Sequence, residues 1–228
     1  ARMNKAADSS KSWFVVDAYR DQTEIHKFIC TMYSSVLGKQ LGYHLVNDVQ
    51  LLAPMKNGIL GVSNLNVTLQ RLIQKKCYGV TVDPVVSAHR PRFYLHDKVI
   101  QTRNNYEIGV MNGSIGTIEN IDTVNDRYTI MFDEGEVIVE RDDLRDVSLA
   151  YALTTHKAQG SEYPCVIAIV HKTQSYMHHR NLFYTAVTRA RKTAIIIGDR
   201  WAIRNCASKT ASNNRHTFLS IPAFSTEA

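Results

Sequence analysis

The distribution of apolar residues constrains the fold of this chain more than any other feature. Three short runs are apolar at nearly every position: 49–53, 164–170 and 193–198. Strands of this kind are buried on both faces, which is typical of parallel sheets covered by helices. Apolar residues at helical spacing occupy 25–36 and 65–73. The pattern therefore predicts an α/β domain built around a parallel sheet.

The middle of the chain has a different period. Apolar and polar residues alternate along four segments, at 98–102, 114–121, 127–132 and 136–140, and Asn-Gly, Asn-Asp and Glu-Gly dipeptides separate them. Short alternating strands joined by tight turns are typical of small antiparallel barrels. We predict such a barrel over 93–147, inserted into an α/β domain formed by 1–92 and 148–228.

Acidic residues are concentrated in the same middle part of the chain. Residues 107–146 contain 11 acidic and three basic residues, a net charge of −8, whereas the rest has 24 basic and ten acidic residues, a net charge of +14. One interpretation is an acidic solvated face beside a basic one. The other is that the basic part meets phosphates and the acidic part does not.

Composition limits the class of protein. A hydrophobic content of 44% and a charged content of 21% are typical of globular proteins and exclude collagen-like and disordered chains. No apolar run approaches the roughly 18 residues of a membrane-spanning helix. The N-terminus lacks the apolar core of a signal peptide, and the four widely spaced cysteines favour reduced thiols, so we expect a cytoplasmic location. Because the sequence begins without methionine, we expect a fragment.

The sequence lacks the motif that cradles nucleotide phosphates. No G-x-x-x-x-G-K-[ST] occurs, and neither HExxH nor G-x-S-x-G is present. Residues 130–134 (IMFDE) resemble a strand ending in paired magnesium-binding acids, but they lie in the acidic hairpin region without a phosphate loop. We therefore expect no metal site and no complete ATP site in this chain.

Two segments carry groups suited to phosphates. Residues 153–162 read LTTHKAQGSE, where hydroxyls, backbone amides and a lysine follow a predicted strand. Residues 181–192 read NLFYTAVTRARK, a predicted helix that ends in cations. Ligands bind at the carboxyl ends of parallel strands, but ordinary strand-end residues and cations that complement a helix dipole explain much of both patterns.

The two segments, in this order, resemble motifs V and VI of superfamily 1 helicases. The residues of both motifs are similar to those of the RecD-like, 5′-to-3′ group, superfamily 1B. This group includes the alpha subunit of exodeoxyribonuclease V. Residues 49–70 (VQLLAPMKNGILGVSNLNVTLQ) resemble its motif IV region, and 97–118 (DKVIQTRNNYEIGVMNGSIGTI) resemble the start of its SH3-like insertion. The resemblance covers about residues 45–200.

The resemblance implies a specific architecture. It predicts the second RecA-like domain, 2A, a parallel sheet of the P-loop NTPase type without its own P-loop, split into 1–92 and 148–228. The SH3-like barrel, 2B, would be the insertion at 93–147. The first RecA-like domain, which holds the ATP phosphates and Mg²⁺, would lie outside this chain.

The resemblance also assigns roles to particular residues. Arg189 matches the arginine finger that stabilises charge on the γ-phosphate, which suits a permanently charged, forked guanidinium. Lys56, Gly160 and Glu162 match nucleotide-facing positions, and Thr155, His156 and Lys157 match positions near the DNA backbone.

Asn104 and Asn105 are candidates for a DNA path on the barrel, together with the neighbouring Tyr106. Amides and a stackable ring suit single strands. A polar turn that begins the barrel explains them equally well. The implied partners are single-stranded DNA, the missing RecA-like domain and, as an open alternative, nuclease-complex subunits. A catalytically inert nucleic-acid-binding or subunit-interaction module is the competing function, and the choice of DNA over RNA rests on the resemblance alone.

Overall fold

Two sheets and four α-helices make up the described part of the chain. A computed structural model describes residues 2–5, 12–82, 93–177 and 180–209. The strands are β1 (Arg2–Lys5), β2 (Ser12–Val16), β3 (Val49–Ala53), β4 (Lys98–Gln101), β5 (Ile115–Asp122), β6 (Arg127–Phe132), β7 (Gly135–Glu140), β8 (Val147–Leu149), β9 (Ala152–Thr154), β10 (Tyr163–Val170) and β11 (Ala190–Gly198). The helices are α1 (Gln22–Thr31), α2 (Val62–Ile73), α3 (Arg180–Thr188) and α4 (Arg200–Ser208).

The first sheet has the strand order β1-β2-β11-β10-β3-β9. Its last five strands are mutually parallel, and β1 adds an antiparallel edge. The predicted parallel α/β sheet is confirmed, and the three apolar runs form its centre as β3, β10 and β11.

Alternate residues of these apolar strands serve two cores. Leu51, Ile167 and Ile195 belong to a cluster on the face covered by α1 and α2, whereas Val166 and Ile196 belong to a cluster with α3 and α4. Successive strand side chains point to opposite faces, so a sheet covered on both sides needs apolar residues at every position. This burial explains why these runs do not alternate in polarity.

The second sheet is antiparallel, with the order β7-β6-β5-β4-β8. Ile118, Ile130 and Val139 fill its interior and are completely buried. The predicted antiparallel insertion is confirmed as a structure, and it contains one strand, β8, that the sequence pattern did not predict. This strand pairs with β4 and carries the sheet to Leu149, two residues past the predicted boundary at 147, while residues 83–92 before it lie outside the described part.

A buried carboxylate ties the insertion to the parallel-sheet unit. Asp97, which precedes β4 and is 0% exposed, accepts hydrogen bonds from Gln70 Nε2 (2.5 Å) and Gln74 Nε2 (2.8 Å) of α2 and the turn after it. It also accepts from the backbone amide of Tyr94 (2.9 Å) and the hydroxyl of Tyr151 (2.8 Å). Burial raises the pKa of Asp97, because the donors around it are neutral. One side chain thus joins the entering chain, the leaving chain and α2.

Lys98 is the second charged residue buried where the two sheets meet. Its side chain donates to the carbonyl oxygen of Val49 in β3 (3.3 Å), and the residue is 4% exposed. Burial lowers the pKa of Lys98 to about 7, and the negative charges of Asp48 and Asp133 offset only part of this effect.

The structure corrects the predicted end of the third helix. The sequence predicted helix over 181–192, but α3 ends at Thr188 and β11 begins at Ala190, which pairs with Tyr163 of β10. Arg191 and Lys192 are therefore strand residues, and the helix-dipole explanation does not apply to them. The sequence pattern also missed β1 and α4. The predicted loose tail, the last dozen residues, lies outside the described residues.

We expect Asp97→Asn to lower the free energy of unfolding by about 2–3 kcal/mol, because an amide nitrogen would face donors that now meet a carboxylate oxygen. Urea denaturation of the variant measures the loss. Asp142→Asn, at an exposed position of the same insertion, is the control and should change stability by less than about 0.5 kcal/mol. Equal stability of both variants would mean that the Asp97 network does not hold the insertion.

The stability difference between the wild-type chain and Lys98→Met should depend on pH. Between the folded pKa of about 7 and the unfolded value of 10.5, the unfolded chain binds one proton more at Lys98, so stability rises with pH. The difference should change by about 1.4 kcal/mol per pH unit between about pH 7.5 and 9.5. Denaturant titrations across this range measure it, with the exposed Lys39→Met as a pH-independent control. A flat difference would show that Lys98 keeps an ordinary environment.

Candidate nucleotide and nucleic-acid site

The carboxyl ends of β3 and β9 lie side by side. Ala53, the last residue of β3, pairs with Thr154, the last residue of β9. The loops that follow these strands therefore begin at the same edge of the sheet. The first loop contains Lys56 and the second contains Thr155, His156 and Lys157.

Lys56 and Lys157 are close enough to repel each other. The pKa of Lys157 is lowered, first by partial burial of the amine and then by the positive charge of Lys56. Both residues, and His156 of the second loop, are exposed. Two unneutralised amines at one strand edge, within the described residues, form a site that a phosphate anion would stabilise.

Thr155, which was predicted to lie near the DNA backbone, is buried. The residue is 4% exposed, so its hydroxyl is not presented to solvent. The neighbouring Thr154 hydroxyl accepts from the Lys157 backbone amide (3.4 Å), which shapes the turn. Of the three residues predicted to meet DNA in this loop, the exposed pair is His156 and Lys157.

The same loop leads down to the amino ends of β10 and β11, where Arg189 lies. The backbone amide of Tyr163 donates to the carbonyl oxygen of Arg189 (2.8 Å). Gly160, with φ of +90°, reverses the chain, and the carbonyl oxygen of Ser161 accepts from Nη1 of Arg189 (3.4 Å). Residues 160–162 therefore run alongside Arg189.

The guanidinium of Arg189 is held in place but does not use all of its hydrogen-bond donors. It is half-buried, its contacts with Ser161 and the Thr188 hydroxyl are both 3.4 Å, and its buried Nε has no hydrogen-bond partner among the described residues. No carboxylate in the described part of the chain pairs with it. Buried polar atoms are usually bonded, so this one has capacity for a further acceptor.

Glu162 already has a cationic partner. Its Oε2 lies 3.1 Å from Nε of Arg191, and both side chains are exposed. The pair exists because β11 begins early enough to place Arg191 beside the end of the loop. Glu162 is therefore a neighbour of Arg189 whose charge is compensated by Arg191.

Asn104 and Asn105 hold a hairpin turn of the barrel. Asn104 donates to the Tyr106 hydroxyl (3.0 Å) and accepts from the Asn112 amide (2.8 Å). The Asn105 side chain accepts from the amides of residues 107 and 108, at 3.2 and 3.4 Å. These bonds favour the interpretation of both amides as turn residues. Tyr106, 74% exposed, is the group that this turn presents to solvent.

The structure thus sorts the predicted site residues into separate groups. Gly160 and Glu162 lie with Arg189 at the amino edge, whereas Lys56, predicted as nucleotide-facing, lies with Lys157 at the carboxyl edge. Sequence analysis missed Tyr163, which lies next to Arg189, because an aromatic residue at the start of an apolar strand resembles any core residue. Within the described residues, no group of three or more His, Cys, Asp or Glu could hold a metal ion. No helix in the described part is long and apolar enough to cross a membrane.

Two family models match the chain in the places where these features lie. The UvrD-like helicase C-terminal domain matches residues 149–197, and the ATP-dependent RecD-like DNA helicase SH3 domain matches residues 65–132. The first contains the loop 155–162 and Arg189, and the second contains most of the antiparallel sheet. The chain belongs to the RecD-like helicase family.

Curated relatives agree with this RecD-like assignment. The ATP-dependent RecD2 DNA helicase of Deinococcus radiodurans is 36% identical over 167 residues, which is 72% of this chain and 22% of that protein. The RecBCD enzyme subunit RecD of Mycolicibacterium smegmatis is 27% identical over 179 residues, 78% of this chain and 30% of that protein. The RecD-like chain therefore spans about a quarter of the length of these relatives.

Among solved structures, the Pif1 helicase from Candida albicans is similar to this chain. The two have 16% sequence identity and a TM-score of 0.45. The match covers 78% of the RecD-like chain and 52% of the Pif1 chain.

Proposed function

We propose that this chain is the C-terminal motor portion, domains 2A and 2B, of an ATP-dependent DNA helicase that moves 5′-to-3′ along single-stranded DNA. The single observation that carries the proposal is the guanidinium of Arg189, held at a strand edge without a neutralising carboxylate in the described residues. The relative from Deinococcus radiodurans is named as an ATP-dependent DNA helicase.

Arg189 would act as the arginine finger. A cation that is fixed before the substrate arrives stabilises developing charge without reorganising in the transition state. The long 3.4 Å contacts of Nη1 and Nη2 leave this guanidinium able to bind phosphate oxygens. Gly160, with φ of +90°, turns the chain just before Ser161, and Glu162 would orient Arg191 beside Arg189.

The residues present here fit one wall of an ATP site. They supply a cation for the γ-phosphate, but the described part contains no carboxylate cluster for a metal ion. We therefore assign the binding of the remaining phosphates and of Mg²⁺ to the first RecA-like domain, outside this chain. That domain is the first partner that the proposal requires.

The carboxyl edge of the sheet would hold the DNA backbone. Lys56 and Lys157 repel each other in the free chain, and a phosphate between them would remove this repulsion. The exposed His156 extends the same edge, and the buried Thr155 would contribute its backbone amide only. On the barrel, Tyr106 would stack on a base, since its ring is exposed and its hydroxyl is tied to Asn104. Subunits of a nuclease complex are further proposed partners, because the relative from Mycolicibacterium smegmatis is named as a subunit of the RecBCD enzyme.

Arg189→Ala in the full-length protein should lower the rate of DNA-stimulated ATP hydrolysis by roughly 10³-fold or more, the scale associated with an arginine finger. The affinity for single-stranded DNA should stay within about threefold, since Arg189 lies at the edge away from the lysines. Steady-state hydrolysis and fluorescence anisotropy on the same preparation measure both. Lys192→Ala, an exposed cation three residues along β11, is the control and should retain the wild-type rate.

A rate that stays within a few-fold of wild type in Arg189→Ala would refute the finger assignment. An inert binding module would give the same result with intact DNA binding. A melting temperature measured on each variant distinguishes a lost catalytic contact from a lost structural one.

Replacing Lys56 and Lys157 together by glutamine should weaken DNA binding and reduce its dependence on salt. Each lost phosphate contact on a single strand lowers the slope of log K against log salt by about 0.7, so the double variant should lose about 1.4. Binding titrations of this chain at several salt concentrations give the slope. The exposed Lys75→Gln is the control, and an unchanged slope in the double variant would exclude this edge as the DNA site.

A further inference from the structure

Tyr163 lies close to two basic residues, Lys98 and Arg189, which come from different parts of the fold. The Nζ atom of Lys98, from β4 of the barrel, lies 5.1 Å from the centroid of the Tyr163 ring. The backbone amide of Tyr163 donates to the carbonyl oxygen of Arg189. Burial raises the pKa of the Tyr163 hydroxyl, and the positive charge of Arg189 opposes this effect in part. Tyr163 therefore has its ring near an amine of the insertion and its backbone bonded to Arg189.

Lys98 is itself held in one place. Its donation to the Val49 carbonyl oxygen fixes the amine against β3, and the residue is 4% exposed. Its backbone carbonyl accepts from the amide of Ala150, where the chain leaves the barrel. Burying a lysine without a directly bonded carboxylate costs free energy, and burial lowers the pKa of Lys98 accordingly.

The charged groups around Tyr163 come mainly from the barrel. Asp133, in the turn after β6, acts electrostatically on both Lys98 and Tyr163, and Asp48, before β3, acts on Lys98. Tyr163 is 6% exposed and belongs to the core on the side of α3, the helix that ends immediately before Arg189. A displacement of the barrel would therefore change the packing of Lys98 against Tyr163, the residue whose backbone is bonded to Arg189.

We propose that Lys98 and Tyr163 are positioning residues for Arg189, through which the inserted barrel controls the placement of the finger. The proposal rests on the finger role given above. The ring packs against a fixed amine at the start of β10, whose backbone is bonded to the carbonyl oxygen of Arg189, and a small displacement of a catalytic group lowers the reaction rate strongly. Both residues are buried, so they would not touch the nucleotide, and ATP binding should not depend on them.

Tyr163→Leu in the full-length protein should lower kcat for DNA-stimulated ATP hydrolysis by roughly 10- to 100-fold while KM for ATP stays within about threefold. The affinity for ADP with aluminium fluoride, a mimic of the transferring phosphate, should fall by a similar factor, and the affinity for ADP alone should not. Tyr163→Phe keeps the ring and should restore both quantities. Tyr43→Leu, which removes a half-buried ring on the opposite face of the sheet, is the control for lost aromatic volume.

Lys98→Met tests the barrel side and keeps the length of the side chain. It should lower kcat and the affinity for the transition-state mimic at least about threefold, with DNA affinity unchanged. If Tyr163→Leu does not fold, Lys98→Met alone tests the positioning role.

Two results would overturn the proposal. If Arg189→Ala abolishes hydrolysis but folded Tyr163→Leu and Lys98→Met keep wild-type kcat and mimic affinity, the finger stands and the positioning role is wrong. If Arg189→Ala itself retains activity, the finger fails, and the positioning role fails with it.

Discussion

The hydrogen bonds to the buried carboxylate of Asp97 are the interaction on which the arrangement of the two sheets depends. An inserted domain is joined to its host by two chain crossings, and its orientation is free unless something fixes both. Here Asp97 on the entering chain binds Tyr151 on the leaving chain and two glutamines that face it from α2 and the turn beyond. Because a half-satisfied carboxylate in the interior is far more costly than a fully bonded one, other orientations of the barrel are disfavoured.

The short loop between β9 and β10 connects the two edges of the parallel sheet. The loop begins beside Lys56 at the carboxyl edge and ends beside Arg189 at the amino edge, and Ala158 in its middle is completely buried against the sheet. The candidate DNA contacts and the candidate finger are thus joined by only eight residues, 155–162, whose ends lie at opposite edges of the same sheet.

Sequence patterns predicted the parallel sheet well because burial on both faces leaves an unambiguous signal in β3, β10 and β11. They failed where tertiary pairing decides the outcome. Nothing local distinguishes a helix that continues through Arg189 from one that ends before it, and the pairing of Ala190 with Tyr163 makes that choice. The site shows the same limit. The resemblance assigned Lys56, Gly160, Glu162 and Arg189 together to nucleotide-facing positions, but it could not show that Lys56 lies at the opposite edge of the sheet from Arg189. It also could not show that Asn104 and Asn105 form hydrogen bonds within their own turn.

The acidic character of the barrel follows from the same geometry. A surface that carries Asp122, Asp126 and Glu140 repels phosphates, so it cannot grip a DNA backbone as the lysine edge can. Stacking on Tyr106 needs no positive charge and is insensitive to base identity, so one exposed ring is compatible with this surface. In the proposed function, repulsion from the barrel and attraction from Lys56 and Lys157 would act in the same direction, and both would confine a strand to the edge of the parallel sheet. The negative charge of Asp133 acts on Lys98 and Tyr163 from the same barrel, so the insertion would both limit the proposed DNA path and contribute to the electrostatic environment near Arg189.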